Sequence, residues 1–336
     1  MMNKLAKIIT GSLTAMILLI SCHDKNNIAP FDDILSKQPY AHLTDRIKKE
    51  PKRDELFFRR AVLLNKNNLP EPALADFQKA WSLKKDEKYA LGISTLLLDK
   101  KPDSAVIFLS GALKELPNSL LLQLTLARSY DGQNKTDEAL KICDDILAKN
   151  AELVDVLKMK AQLLDKKGDQ PGAIKILESA YSLTPFDIDL NYALAYKYAE
   201  SNNAKVIRLC DSLIKKDSLH LHAGPYYYKG IYFSNINDKT KALTLFNEAI
   251  QHDYYYLNAY IEKGRVQYDQ KKINEALKTF QLANTISATF PDAYFWMGKC
   301  EEALGQKEEA KLNYQRAYAL DKTFTEAKEA ADRLSK

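Results

Sequence analysis

Residues 257–290 read LNAYIEKGRVQYDQKKINEALKTFQLANTISATF, and residues 291–324 read PDAYFWMGKCEEALGQKEEAKLNYQRAYALDKTF. The second stretch follows the first directly and repeats its pattern. Gly264 and Gly298 stand 34 residues apart, and so do the alanine and aromatic residues that come after each glycine. A fixed spacing of this length is typical of chains built from tandem helical units. The two stretches therefore predict an internal repeat.

The same spacing extends towards the amino terminus. One register position per repeat recurs at intervals of 32 to 36 residues: Ala73, Ala105, Ala139, Ala173, Val206, Ala242, Ala276 and Ala310. These positions define eight repeats: 54–85, 86–119, 120–153, 154–187, 188–222, 223–256, 257–290 and 291–324. At the register position, twelve residues before it (eleven in the fifth repeat, at Ala195) and seven after it, 20 of the 24 residues are Ala or Gly. The fifth repeat departs most, with Val206 and Leu213 at two of these places.

Each repeat has the pattern of two antiparallel helices. Small residues let two backbones approach, and a large residue four after the register position, such as Phe246 or Phe280, fills the remaining gap. The register position and the residues four and seven after it lie on one face of a helix. Between the two halves stand turn-forming pairs such as Asn67-Asn68, Gly168-Asp169 and Gly305-Gln306.

This pattern resembles the tetratricopeptide repeat family, whose units carry a small residue in the first helix and an Ala, a large apolar residue and a second Ala in the second helix. The resemblance covers residues 54–324 and implies an all-α fold, a right-handed α-solenoid of about eight helix-turn-helix repeats. Residues 325–336 predict a capping helix and residues 41–53 a leading helix. No repeat carries the tryptophan that the family often has in its first helix.

The amino-terminal sequence predicts where in the cell the protein lies. Two lysines within residues 1–7, a largely apolar stretch and the ending Leu19-Ile20-Ser21-Cys22 have the layout of a secretory signal. The ending resembles the lipobox of bacterial lipoproteins, which implies cleavage after residue 21 and lipidation of Cys22. Residues 22–40 are then predicted to be the lipidated cysteine and a flexible tether to the membrane.

Composition and motifs argue against several function classes. The formal net charge of +5 is too small, and the lysines too scattered, to indicate nucleic-acid binding. Cys143, Cys210 and Cys300 sit in apolar helical patterns and predict buried thiols. His220 and His222 lack a third metal ligand at a plausible spacing, so we expect no metal and no cofactor. No nucleophile, zinc-protease or phosphate-binding motif occurs, so we expect no enzyme.

Binding to a partner is the predicted activity. In the resembled family the first helices of the repeats line a concave groove, and the corresponding side chains here mix aromatic and cationic types. The candidate groove residues are Phe58, Arg128, Lys158, Gln162, Tyr192, Tyr196, Tyr227, Arg265, Phe295 and Lys299. They suit an extended peptide or a partner helix with apolar anchors and some acidic groups. The alternative for the aromatic residues is packing between neighbouring repeats.

The sequence thus predicts a lipid-anchored scaffold or adaptor for a protein partner in the bacterial cell envelope. His23 rather than Asp follows Cys22, which favours the outer membrane under the enterobacterial sorting rule. A second hypothesis is an accessory protein that binds a glycan or cell-wall polymer on aromatic platforms of the concave face. Both hypotheses depend on which groove side chains are exposed.

Overall fold

The computed structural model describes residues 31–217 and 222–335. Over these residues the chain is all helical, with nineteen α-helices and no strand, which confirms the predicted all-α fold class. The helices are α1 Asp32–Leu35, α2 Ala41–Lys49, α3 Asp54–Lys66, α4 Pro70–Leu83, α5 Glu87–Lys100, α6 Pro102–Glu115, α7 Leu120–Gly132, α8 Thr136–Leu147, α9 Val154–Lys166, α10 Gln170–Leu183, α11 Ile188–Glu200, α12 Lys205–Lys216, α13 Gly224–Asn235, α14 Lys239–His252, α15 Leu257–Asp269, α16 Ile273–Ile286, α17 Pro291–Ala303, α18 Lys307–Leu320 and α19 Thr325–Arg333. None of these helices is long and apolar enough to cross a membrane. The predicted signal segment 1–21, Cys22 and His220 lie outside the described residues.

Local sequence signals explain where many helices begin. Proline lies in the first turn of α4, α6, α10, α13 and α17, where the missing N–H group leaves no helical hydrogen bond unmade. The carboxylates of Asp169, Asp187 and Asp238 accept hydrogen bonds from backbone N–H groups in the first turns of α10, α11 and α14. Such N-caps satisfy donors that have no partner inside the helix.

The turn between the two helices of a repeat has one recurring conformation. In seven of the eight repeats, all of whose turns are described, one residue adopts a positive φ: Asn68, Asn134, Gly168, Asn202, Asn237, Lys271 and Gly305. Asn and Gly tolerate this left-handed backbone, which explains the turn-forming pairs in the sequence. Lys271, with φ 63°, is the residue least suited to it.

The described residues form two compact units, divided between Leu96 and Leu97. In the amino-terminal unit, α2 packs on α3, and α3 packs on α4. The buried guanidinium of Arg60 donates two hydrogen bonds to the Asp76 carboxylate, at 2.6 and 2.7 Å, and a third to the Thr44 hydroxyl at 2.9 Å. Because all three side chains are buried, this network fixes α2 in one position on the first repeat.

Residues 31–40, which the sequence assigns to the end of the tether, have contacts with this unit. They include α1, and the hydroxyl of Thr44 donates a hydrogen bond of 2.7 Å to the backbone oxygen of Leu35. Tyr40 is 6% exposed, and its hydroxyl accepts a hydrogen bond of 2.9 Å from the Asn67 amide. The mainly polar composition of residues 31–40 does not predict that Tyr40 is buried.

In the carboxyl-terminal unit, consecutive helices pack on one another from α6 to α19. The first helices of successive repeats also contact each other, α11 with α13, α13 with α15 and α15 with α17. Helix α19 packs on α18 and buries Ala327, Ala330 and Ala331, as expected of a cap. First helices therefore line up side by side and present one common face.

Small residues allow the two helices of a repeat to approach closely. A Cβ atom added to Gly264 would lie 2.4 Å from the ring of Phe280, and one added to Gly230 would lie 2.5 Å from the ring of Phe246. Both rings are fully buried. The large residue of the second helix thus occupies the space that the glycine of the first helix leaves empty, as the repeat pattern predicts.

Candidate functional site

Three surface depressions follow one another along the first helices α7, α9, α11, α13 and α15, and we call them together the groove. The mixed depression, of about 350 Å³, is lined by Arg128, Asp131, Asp155, Lys158, Met159, Gln162 and Leu163. The apolar depression, of about 130 Å³, is lined by Lys158, Ala161, Gln162, Asp165, Ala173, Leu177, Leu190, Ala193, Tyr196 and Lys197. The acidic depression, of about 320 Å³, is lined by Tyr196, Glu200, Tyr227, Ile231, Ser234, Asn235, Glu262, Arg265, Val266 and Asp269.

Shared side chains make the groove continuous. Lys158 and Gln162 line both the mixed and the apolar depression, and Tyr196 lines both the apolar and the acidic depression. Six of the ten predicted groove residues lie here: Arg128, Lys158, Gln162, Tyr196, Tyr227 and Arg265. The structure therefore brings together the central part of the predicted set.

Two ion pairs surround the apolar depression. The Lys158 ammonium lies 3.1 Å from the carboxylate of Asp187, the N-cap of α11, and the Lys197 ammonium lies 2.5 Å from that of Asp165. The floor between them is formed by Ala173, Leu177 and neighbouring small or aliphatic residues. The charges at this rim are thus already paired, and the open surface is aliphatic.

The two groove tyrosines differ in their surroundings. Tyr196 is 40% exposed, and Glu200, one helical turn further along α11, adds to the effect of burial in raising the pKa of its phenol. Tyr227 is half-buried and its ring lies 5.2 Å from that of Tyr256 and 6.0 Å from that of Phe246. Burial raises the pKa of both phenols, that of Tyr227 far more. Tyr196 is therefore mainly a surface group, whereas Tyr227 also packs the interior.

Carboxylates outnumber cations in the acidic depression. Glu200, Glu262 and Asp269 face a single cation, Arg265, whose guanidinium lies 2.7 Å from a Glu262 oxygen. That guanidinium also lies 5.4 Å from the centre of the Trp296 ring. Burial raises the pKa of Glu262 despite the neighbouring Arg265, because desolvation of the charged form outweighs the ion pair.

The other four predicted residues lie outside the groove, and two of the aromatic ones, Phe58 and Phe295, pack against neighbouring rings. Phe58 packs in the amino-terminal unit at 5.2 Å from the Tyr89 ring. Phe295 is 4% exposed and packs at 4.7 Å from the Phe324 ring, while Lys299 pairs with a carboxylate of α19. Tyr192 lines a different pocket, of about 200 Å³, together with Phe186 and His222.

The acidic groove residues were not singled out in the sequence. Glu200 and Asp269 end the first helices α11 and α15, close to the turn within each repeat. In the resembled family the last turn of the first helix also contributes to the groove, so the signal was present. The predicted groove residues stand in the middle of the first helices, whereas these two carboxylates stand at the helix ends.

Residues 31–217 and 222–335 contain no candidate metal site, and their cysteines are not exposed. No group of three His, Cys, Asp or Glu side chains there could hold a metal ion. His222 instead lies 3.1 Å from an oxygen of Asp217. The three cysteines of the body are buried and free, and burial raises the pKa of each thiol.

Comparisons with known proteins concern the repeats and the fold. Two family models described as tetratricopeptide repeat match residues 96–163 and 291–324. A tetratricopeptide repeat protein from Parabacteroides merdae ATCC 43184 has a similar crystal structure, with a TM-score of 0.60 at 19% identity over 74% of this chain and 98% of that one. A thermophilic protein of this type from Thermus thermophilus matches with a TM-score of 0.45 at 14% identity, over 54% of this chain and 98% of that one. No curated protein sequence matches the chain.

Proposed function

We propose that this chain, a tetratricopeptide-repeat protein, holds a protein partner in its groove while a lipid on Cys22 anchors it to the outer membrane of a bacterial cell. The observation that carries the proposal is the continuous groove along five first helices, with Tyr196 exposed where two depressions meet. Stacked repeats have large surfaces of this kind, and partners bind there.

Side-chain chemistry supports a protein partner. An exposed tyrosine beside guanidinium and carboxylate groups is typical of protein interfaces, in which Tyr and Arg supply much of the binding energy. A glycan or cell-wall polymer would need several exposed aromatic rings on which its sugar rings could stack. Among the described candidates Phe58 and Phe295 are packed and Tyr227 is half-buried, so Tyr196 is the main exposed ring. We therefore favour a peptide over a glycan.

The groove is tested by changing Tyr196 to alanine. Full-length wild-type and variant proteins would be crosslinked in intact cells, solubilised and captured through a carboxyl-terminal tag, and the recovered partners quantified by mass spectrometry. We expect Tyr196→Ala to lower recovery of at least one partner about tenfold or more, the size of a hot-spot loss. Tyr255→Ala is the matched control, because Tyr255 is 75% exposed in a turn outside the groove. Equal recovery from all three proteins would reject the groove assignment.

The anchor is tested separately. Cells grown with labelled palmitate should incorporate the label into wild-type protein and not into the Cys22→Ser variant, because the thiol is the acceptor group. Cys143→Ser is the control, since that thiol is buried in the body. Wild-type protein without label, or label that persists in Cys22→Ser, would contradict the lipid anchor and leave the groove proposal standing.

A further inference from the structure

The apolar and acidic depressions are adjacent and chemically different. They meet at Tyr196, which lines both. The apolar depression, of about 130 Å³, has room for one aliphatic side chain, and the larger acidic depression, of about 320 Å³, has room for a long polar one. A chain lying in the groove would therefore meet two different environments on the two sides of one tyrosine.

The acidic depression has carboxylates that its own cation does not neutralise. Arg265 pairs with Glu262 at 2.7 Å, and Glu262 is the more buried partner, with 16% of its side chain exposed against 49% for Arg265. Glu200 interacts with the Tyr196 hydroxyl, and the nearest ammonium to Asp269, that of Lys239, is 4.0 Å away. A depression of this composition attracts a positive group.

Aromatic rings in the same depression add a second preference for a cation. Tyr196 and Tyr227 both line it, and a guanidinium or ammonium binds favourably to the face of a tyrosine ring. Arginine in particular combines ring stacking with hydrogen bonds to carboxylates. The Arg265 guanidinium beside the Trp296 ring, at 5.4 Å, is an example within this protein.

The mixed depression at the other end of the groove has no excess of carboxylates over cations. It contains two cations, Arg128 and Lys158, and two carboxylates, Asp131 and Asp155. The ion pairs at the rim of the apolar depression are likewise complete. Negative charge is thus concentrated at one end of the groove, which would give a bound peptide a preferred direction.

Resting on the proposed function, we propose that the partner is a peptide segment with an aliphatic side chain in the apolar depression and an arginine or lysine in the acidic depression, on opposite sides of Tyr196. This partner differs from the one with acidic groups that the sequence suggests. The reason is that the sequence-based prediction used Arg128, Lys158 and Arg265, and two of these cations are matched by carboxylates close to them.

The test is selection from a random twelve-residue phage-display library on the full-length protein, solubilised in detergent. We expect the selected peptides to be enriched in pairs of an aliphatic and a basic residue. Selection on the double variant Glu200→Gln, Asp269→Asn should keep the aliphatic preference and lose the basic one. Glu138→Gln is the control, because Glu138 is exposed on a second helix outside the groove.

Affinity of one selected basic peptide gives the quantitative readout. The double variant should bind it about threefold to thirtyfold more weakly, the range for two exposed ion pairs, and high salt should reduce the difference. Peptides without basic enrichment, or equal affinity for both proteins, would overturn this inference while the groove proposal survives. Failure to select any peptide, or selection unaffected by Tyr196→Ala, would overturn both.

Discussion

Replacing Gly264 by alanine tests the close approach of helices on which the repeat depends. The added Cβ would lie 2.4 Å from Cε1 and 2.5 Å from Cζ of Phe280, whereas carbon atoms in contact are normally about 3.5–4.0 Å apart. Phe280 is fully buried, and its ring stacks at 5.7 Å on that of Trp296. The ring must therefore move by about 1 Å and push its neighbours, because protein interiors have little free space.

Two opposing contributions set the size of the effect. Overpacking of a core costs about 1–3 kcal/mol, while replacing glycine by alanine inside a helix contributes about 1 kcal/mol of stabilisation. Gly111 isolates the second contribution, because it lies inside α6 and a Cβ there has nothing within 4 Å. We expect Gly111→Ala to stabilise, and Gly264→Ala to be less stable than Gly111→Ala by about 1–3 kcal/mol.

The assay is urea unfolding followed by helical circular dichroism, with hydrogen exchange in α15 and α16 as the local readout. Phe280→Leu should remove most of the cost of Gly264→Ala, giving a coupling energy of about 1–2 kcal/mol in a double-mutant cycle. Equal stabilisation by Gly264→Ala and Gly111→Ala, or no coupling to Phe280, would refute the close-packing argument.

Three further outcomes follow from the structure. Burial raises the thiol pKa of Cys143 to about 11 and those of Cys210 and Cys300 to about 12. At pH 8 a maleimide should therefore label these three thiols only after unfolding. The Arg333 guanidinium and a tyrosine hydroxyl hold the pKa of Glu302 below its usual 4.5, so the stability they contribute is present above that pH and is lost as pH falls below it. The protection factors of the α19 amides, which are their exchange rates corrected for the intrinsic pH dependence, should therefore fall in acid, and Glu302→Gln should remove much of that dependence. Lys271→Asn should stabilise by up to about 1 kcal/mol in urea unfolding, because Asn tolerates the positive φ that Lys271 adopts, whereas Lys271→Ala should not.

The fold was largely predictable because the repeat signal is short-range and redundant. Small residues such as Gly264 and turn residues such as Asn237 recur in register, and each alone indicates where a helix packs or ends. The packing of Tyr40 and the Thr44–Arg60–Asp76 network was not visible, because these residues fall before or beside the repeat pattern. Their contacts depend on the folded arrangement of α2.

The groove was predictable only in part. Register places Tyr192 and Phe295 at equivalent positions of their first helices, yet Tyr192 is half-buried and lines a pocket, whereas Phe295 is 4% exposed. Phe324 packs on Phe295 at 4.7 Å, a contact that the spacing of the small residues does not predict. The acidic depression likewise emerges only when side chains from three helices meet.

The central claim is that a partner occupies the groove at Tyr196, and site-specific photocrosslinking in living cells tests it most directly. A photoreactive amino acid at position 196 should give a discrete crosslinked product with one protein, while the same group at the exposed turn residue Tyr255 should not. Crosslinks of equal yield from both positions, or none from position 196 in a protein that remains folded, would contradict the account.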